Sequence, residues 1–263
     1  LVKAFQRLVH HWKPANPGGT VRAETLRRLL ERNIFGVDKD QHAVRVACFS
    51  LYLAMCDEIE PRHYWTQVTF PPMRGRRLIC SDFFTEGQTG FDTATDSGSY
   101  DLVLGNAPWG DGVITEDAKV WAKSGRGWSI PNKDIGGLFL AKGSDLAAPS
   151  GRVAMIQSAN SLLFNISPKA AGFREQIFGR RRVEAIFNLS ALRFKVFRRK
   201  THTTKTSAAP ACVVIMTPST PAADDLIRYV CPKHVRPLVD DFSILIEPQD
   251  ARVLRVSDAI SEP

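Results

Sequence analysis

Three short apolar runs that each end in a polar acceptor side chain most strongly constrain how this chain can fold. They are Asn33 to Asp38, Arg77 to Asp82 and Leu102 to Asn106. Short apolar runs bounded by turn residues are typical of buried parallel strands. In open α/β sheets, ligands bind just beyond the carboxyl ends of such strands. The pattern therefore predicts an α/β fold with a mostly parallel, Rossmann-like sheet and a ligand site at one edge.

The third run continues into a carboxamide, a small residue, a proline and a large aromatic, which are Asn106, Ala107, Pro108 and Trp109. At a strand end, the amide oxygen can accept a hydrogen bond from an exocyclic amine, and the indole can stack on a planar ring. An ordinary strand-to-loop turn is the alternative, because Asn, Gly and Pro are common turn formers.

The first run ends in Asp38, and an apolar helix follows from about Ala43. Strand, acid and helix form the second half of a dinucleotide-type βαβ unit, in which the carboxylate accepts hydrogen bonds from both ribose hydroxyls. The alternative is that Asp38 or Asp40 caps the helix. Asp40 is the better placed of the two for capping, and Asp38 for binding a ribose.

Composition narrows the class of protein. The net charge of +8 favours a polyanionic partner, with nucleic acid first, and basic residues cluster at Arg74–Arg77, Arg180–Arg182 and Arg198–Lys200. No apolar run approaches the roughly 20 residues that span a membrane. The five cysteines are scattered and the six histidines have no ligand spacing, so neither a disulfide framework nor a metal site is predicted. A reducing, cytoplasmic compartment is expected.

The rest of the sequence predicts how the chain divides into a core and a tail. Residues 1–217 are predicted to form the core, with insertions at about 60–76 and 110–133. The polar segment 110–133 is interpreted as a mobile loop over the ligand site or as a solvated insertion, since loops of this length are uncommon. From Pro218 onward, prolines interrupt short apolar runs, which predicts an extended tail or linker over 218–263.

The ordered set of these features resembles the adenine-N6 DNA methyltransferases of the large restriction–modification type. The likeness covers most of residues 1–217. It implies a class I methyltransferase fold with an antiparallel edge to the sheet. The departure is Ala107, where the family usually has proline; alanine still offers a backbone carbonyl but lacks the fixed φ that stiffens the turn.

The resemblance also implies S-adenosylmethionine as cofactor, double-stranded DNA as partner, direct methyl transfer to a flipped adenine, and no metal. The residues it assigns are Asn106, Ala107, Pro108 and Trp109 for catalysis; Asp38, Asp82 and Phe83 for the cofactor; and Phe197, Arg198, Arg199 and Lys200 for the flipped base and nearby phosphates. Phe197 as a core side chain and the three basic residues as a solvated loop are the alternatives.

A glycine-rich cofactor motif is expected to precede the first helix in this family, and residues 1–5 resemble the stretch that follows it. The chain is therefore expected to be a fragment whose first strand is missing or displaced and which binds cofactor weakly by itself. A target-recognition domain is expected downstream, and a restriction or specificity domain in the same or another chain. Competing functions are methylation of an RNA base or a glutamine, and a degenerate core kept for DNA binding or assembly.

Overall fold

The computed structural model describes residues 1–17, 21–108, 114–130, 134–192, 210–233 and 246–261. These residues divide into two compact units, Leu1–Gly90 and Phe91–Pro263. Each of the two units has its own parallel strand pairing, and each contributes some of the residues that the sequence singled out. None of the described helices is both long and apolar enough to cross a membrane.

The first unit combines four helices with a small parallel sheet. Its elements are α1 (Val2–Ala15), α2 (Ala23–Asn33), β1 (Gly36–Asp38), α3 (Gln41–Cys56), a 3-10 turn (Pro61–His63), α4 (Tyr64–Gln67) and β2 (Leu78–Cys80). The core is built from the apolar stripes that the sequence shows, with Phe5, Leu26 and Leu51 fully buried. Such burial of periodic apolar side chains stabilises the helices beyond their intrinsic propensity.

Strands β1 and β2 of this unit run parallel, with Asp38 opposite Cys80. Their carboxyl ends therefore point to the same edge. The side chain of Asp40 accepts a hydrogen bond from the His42 N–H at 2.7 Å and caps α3. This is the capping role that the sequence favoured for Asp40 over Asp38.

The second unit is a six-stranded sheet flanked by helices. Its elements are β3 (Tyr100–Asn106), α5 (Glu116–Lys123), α6 (Gly136–Leu146), β4 (Ala147–Ser158), a π-helix (Asn160–Phe164), α7 (Pro168–Arg180), β5 (Arg182–Asn188), β6 (Ala211–Thr217), β7 (Leu226–Val230), β8 (Ala251–Arg255) and α8 (Val256–Ser261), with 3-10 turns at Ser190–Leu192 and Pro248–Asp250.

The strand order is β3-β4-β6-β5-β7-β8. Four strands, β3, β4, β5 and β7, run in one direction, while β6 is inserted antiparallel between β4 and β5. Strand β8 pairs antiparallel with β7 at the outer edge. The mostly parallel α/β sheet with an antiparallel edge, predicted from the sequence, is confirmed.

Two segments differ from their sequence-based interpretation. Within 110–133, the described residues form α5, which Thr115 caps by accepting from the Ala118 N–H at 3.2 Å. Trp121 and Trp128 are buried, so this part is packed helix and turn, where a solvated or mobile loop was expected. The sequence analysis did not predict this helix, because its apolar stretch is short and several glycines lie nearby. Its start signal is one capping threonine followed by two acidic residues.

Within 218–263, the described residues add β7 and β8 to the sheet, where an extended tail was expected. Pro221 and Pro232 flank β7 and leave its five residues free to pair with β5 and β8. Ile227 and Val230 of this strand are buried, but the run is short, so the prolines on either side dominated the sequence signal.

Candidate functional site

Asn106 closes strand β3 at its carboxyl end, where it pairs in parallel register with Ile156 of β4. Its side chain is exposed, while the next residue, Ala107, is buried at 3% exposure, and Pro108 is exposed again. The carboxamide therefore faces outward from the end of an outer strand of the described six-stranded sheet rather than into the core. This is the placement that an acceptor for an external amine requires. Leu102 and Leu104 of this strand are exposed, where a buried strand was expected.

A group of polar side chains that the sequence did not single out lies behind this turn. Asp134 is buried and accepts a hydrogen bond from the Gly136 N–H at 2.9 Å, and the Ser161 hydroxyl donates to its other oxygen. Gln157, one residue past the partner of Asn106, is also buried. A sequence signal did exist, since an acid two residues before a glycine pair marks a helix start, but nothing in the pattern joined it to Asn106.

In the first unit, Asp38 is the last residue of β1, and Asp82 follows the carboxyl end of the parallel strand β2. The Asp38 carboxylate accepts from the Asp40 N–H at 2.8 Å, and its backbone carbonyl accepts from the Ser81 N–H at 3.0 Å. The chain segments that carry the two carboxylates are thus joined directly. This arrangement agrees with the expectation from the sequence that Asp38 and Asp82 lie at one edge of a sheet.

The Asp82 carboxylate is only 13% exposed and uses both oxygens. One accepts from the Phe84 N–H at 2.9 Å, and the other pairs with the Lys39 ammonium at 3.3 Å. Phe83 is half-buried and meets the ring of Phe84 edge-on, with centroids 5.5 Å apart. Lys39, which the sequence did not single out, is 64% exposed and is free to turn toward water when another donor approaches Asp82.

These acceptors and the aromatic ring beside them fit an adenosine group. Two carboxylates at one edge can accept from ribose hydroxyls and from a purine amine, and an adjacent half-buried aromatic ring can pack on the purine. Among the residues that the structure describes, no cluster of three or more His, Cys, Asp or Glu side chains could hold a metal ion.

Five of the residues assigned from the sequence, Trp109, Phe197, Arg198, Arg199 and Lys200, lie outside the described residues. Of the other basic clusters, Arg181 and Arg182 pair with Asp145 and Asp225 at 2.7 Å and 3.2 Å. Arg181 precedes β5 and Arg182 begins it, at the opposite end of the parallel strands from Asn106. The Arg180–Arg182 cluster therefore does not belong to the edge that carries Asn106.

Cys80 offers a direct probe of the Asp38–Asp82 edge. Its exposed thiol ends β2, with the sulfur 3.5 Å from the Lys39 carbonyl oxygen. Cys212 lies in the sheet, where burial raises the pKa of its thiol to about 12. We expect iodoacetamide at pH 8 to alkylate Cys80 rapidly in the folded protein and Cys212 only after denaturation, because alkylation requires an accessible thiolate.

Peptide mass mapping of the alkylated protein distinguishes the two sites. A ligand with an adenosine group, bound at this edge, should slow the alkylation of Cys80 and leave the other cysteines unchanged. Equal rates at Cys80 and Cys212 in the folded protein would contradict the placement of β2 and β6.

Solved structures with a similar fold include parts of restriction–modification enzymes. The type I methyltransferase subunit from Streptococcus thermophilus gives a TM-score of 0.56 at 10% identity, over 92% of this chain and 50% of its own. A modification subunit of a putative type I restriction enzyme from Vibrio vulnificus YJ016 gives 0.52 at 14% identity, over 82% of this chain and 38% of its own. The type ISP enzyme LlaBIII, bound to DNA, gives 0.60 at 12% identity, over 88% and 16%.

The strand order, the inserted antiparallel strand and these similarities define a class I methyltransferase fold. Residues 32–197, more than half of the chain, match the model of the Eco57I restriction-modification methylase family, and the chain belongs to that family. The matched range contains all of the assigned residues up to Phe197. The chain spans at most half the length of the three structures compared. No curated protein gives a significant sequence match.

Proposed function

We propose that this chain forms the catalytic core of an S-adenosylmethionine-dependent DNA methyltransferase that modifies the N6 amine of adenine. The observation that carries the proposal is the exposed Asn106 carboxamide at the carboxyl end of β3, in a chain of a restriction–modification methylase family. The net charge of +8 supports DNA as the substrate. A restriction or specificity domain, in the same or another chain, is the proposed partner.

Asn106 Oδ1 and the Ala107 carbonyl oxygen are the proposed acceptors for the two amine hydrogens. The N6 lone pair of adenine is delocalised into the ring, and two acceptors that draw the amine toward tetrahedral geometry localise it. When bound, S-adenosylmethionine supplies a methyl group activated by a positively charged sulfur. The chain contributes positioning and electrostatics to a direct transfer, and no covalent intermediate with a protein side chain is needed.

The cofactor is assigned to the edge formed by Asp38, Asp82 and Phe83. Asp38 would accept from the ribose hydroxyls and Asp82 from the purine amine, with the Phe83 ring against the purine. Lys39, which pairs with Asp82 at 3.3 Å, balances the buried carboxylate in the absence of that amine. A base inside a duplex is unreachable for this chemistry, so the target adenine must be flipped out.

The test is methylation of DNA by the intact enzyme that carries this chain, measured with radiolabelled cofactor. Duplex DNA, ribosomal RNA and a glutamine-containing peptide are offered in competition. Duplex DNA should be labelled at the N6 position of adenine, as read by nucleoside mass spectrometry. Labelling of RNA or of the peptide would assign the same core to a different amine.

A DNA-binding module without catalytic activity is the second candidate, and the observation that favours it is Ala107. Alanine at this buried position lacks the fixed φ of a proline, so the turn is less stiff at the point where a carbonyl must be aimed. This candidate predicts an intact enzyme that binds duplex DNA without methylating it.

Replacing Asp82 by alanine in the intact enzyme is expected to weaken cofactor binding by about 10- to 100-fold, which is the usual value of a hydrogen bond to a charged group. The same change at Asp38 should have an effect of similar size. Isothermal titration calorimetry with S-adenosylmethionine measures both dissociation constants.

The matched control for these two variants is Asp40→Ala, since Asp40 is a neighbouring carboxylate whose oxygen caps α3. This variant should lower the free energy of unfolding by about 1 kcal/mol and leave the dissociation constant within about threefold. Equal losses of affinity in Asp38→Ala and Asp40→Ala would remove the ribose assignment.

A further inference from the structure

A buried polar cluster lies at the carboxyl ends of β3 and β4. Asp134 is 4% exposed and Gln157 is 2% exposed, and Ser158 and Ser161 are close by. A carboxylate in this position costs free energy unless several groups bond to it. The Nε2 group of Gln157 has no hydrogen-bond partner among the described residues. A buried polar cluster in which one donor lacks a hydrogen bond contributes little to stability, so its presence points to another role.

Asp134 joins two elements that meet at this edge. One oxygen accepts from the N–H of Gly136, the first residue of α6, at 2.9 Å. The other accepts from the hydroxyl of Ser161, which lies in the π-helix that follows β4. Single π-helical turns are rare and occur often at functional sites. The carboxylate therefore fixes the start of α6 to the end of β4.

Gly136 lies beside the Asn106–Pro108 turn. A Cβ atom built on Gly136 would lie 2.8 Å from Gln157 Oε1, 3.1 Å from Asp134 Oδ1 and 3.7 Å from the Pro108 carbonyl oxygen. Only a residue without a side chain lets these groups approach so closely. Hydrogen bonds thus link Ser161 to Asp134 and Asp134 to Gly136. The open side of Gly136 faces the carbonyl of Pro108, two residues after Asn106.

We propose that Asp134 is a positioning residue for methyl transfer: by fixing Gly136 beneath the Pro108 carbonyl, it holds the turn that aims Asn106 and the Ala107 carbonyl. This inference rests on the proposed function. The first side of the turn is fixed by the pairing of β3 with β4, and Gly136, which Asp134 holds, lies beside the other. Because Ala107 lacks the stiffness of proline, the turn depends more on this external support.

Loss of the Asp134 carboxylate is expected to slow the chemical step and to leave binding unchanged. Displacement of a reacting group by about 1 Å can lower a rate by about 10²-fold, while binding of the cofactor depends on Asp38 and Asp82 in the other unit. For Asp134→Ala we therefore expect the single-turnover rate constant of methyl transfer to fall by about 10- to 100-fold. The dissociation constants for cofactor and DNA should stay within about threefold, a split that a merely destabilising change would not produce.

Three further variants of the intact enzyme complete the test. Asp134→Asn keeps an oxygen that can accept from the Gly136 N–H and an amide that can hydrogen-bond to the Ser161 hydroxyl. Its rate constant should therefore be much closer to that of the wild type than the rate constant of Asp134→Ala. Ser161→Ala removes one hydrogen bond and should lower the rate by about 3- to 10-fold in a protein that still folds. Asp145→Ala is the matched control, because Asp145 lies in the last turn of the same helix and pairs with Arg181 at 2.7 Å. It should lower the melting temperature and leave the rate unchanged.

The outcomes separate this inference from the proposed function. A wild-type enzyme that methylates no DNA overturns the proposed function and this inference with it. An active wild type whose Asp134→Ala variant folds and keeps its rate overturns the positioning role alone. If Asp134→Ala does not fold, an unchanged rate in Ser161→Ala overturns it equally.

Discussion

The Asn106→Ala variant of the intact enzyme is expected to lose methyl transfer by about 10²- to 10³-fold in the single-turnover rate constant. This is the loss found when one preorganised hydrogen-bonding group is removed from a site where charge develops in the transition state. Asn106 is exposed at the end of β3, so the truncation leaves no cavity and should not alter folding. Binding of duplex DNA, measured by fluorescence anisotropy, should change by less than threefold.

Two controls make the Asn106 result specific. Asn106→Asp keeps an acceptor oxygen at the same position and should retain more activity than the alanine variant. Asn33→Ala changes an exposed asparagine whose amide donates to the Leu29 carbonyl at 3.0 Å and should leave the rate unchanged. If Asn106→Ala methylates as fast as wild type, Asn106 is part of an ordinary turn. If the wild type itself is silent while binding DNA, the binding-module alternative holds.

The Trp121→Ala variant is expected to lower the free energy of unfolding of the second unit by about 3–5 kcal/mol, the usual cost of removing a large buried aromatic. Trp121 is 1% exposed, and its indole N–H donates to the Thr93 hydroxyl at 2.9 Å. The guanidinium of Arg126 lies 4.8 Å from its ring centroid. Urea denaturation followed by circular dichroism measures the loss.

Val120→Ala is the matched control for Trp121→Ala, because Val120 is the preceding residue of the same helix and is 62% exposed. It should change the free energy of unfolding by less than about 0.5 kcal/mol. Equal and small effects of the two variants would mean that this segment is a solvated loop, as its sequence first suggested.

Local patterns in the sequence were sufficient to predict where most of the strands and helices lie. The apolar runs before Asp38, Asp82 and Asn106 became β1, β2 and β3, and the helix after Asp40 begins where its cap predicts. These signals are local, because a side chain's place on a strand or helix face repeats with a fixed period. The segments that the sequence misread, α5 and β7, carry short apolar stretches between turn residues, so their structure depends on partners far along the chain.

The sequence by itself determined the family resemblance, the strand-end position of Asn106 and the capping of α3 by Asp40, since each depends on residues that are neighbours in the chain. Only the tertiary structure decided that Asp134, Gln157 and Ser161 meet behind the Asn106 turn. It also decided that Lys39 pairs with Asp82, across 43 residues of sequence. Such contacts are set by how strands pair and helices pack, and no local pattern specifies them.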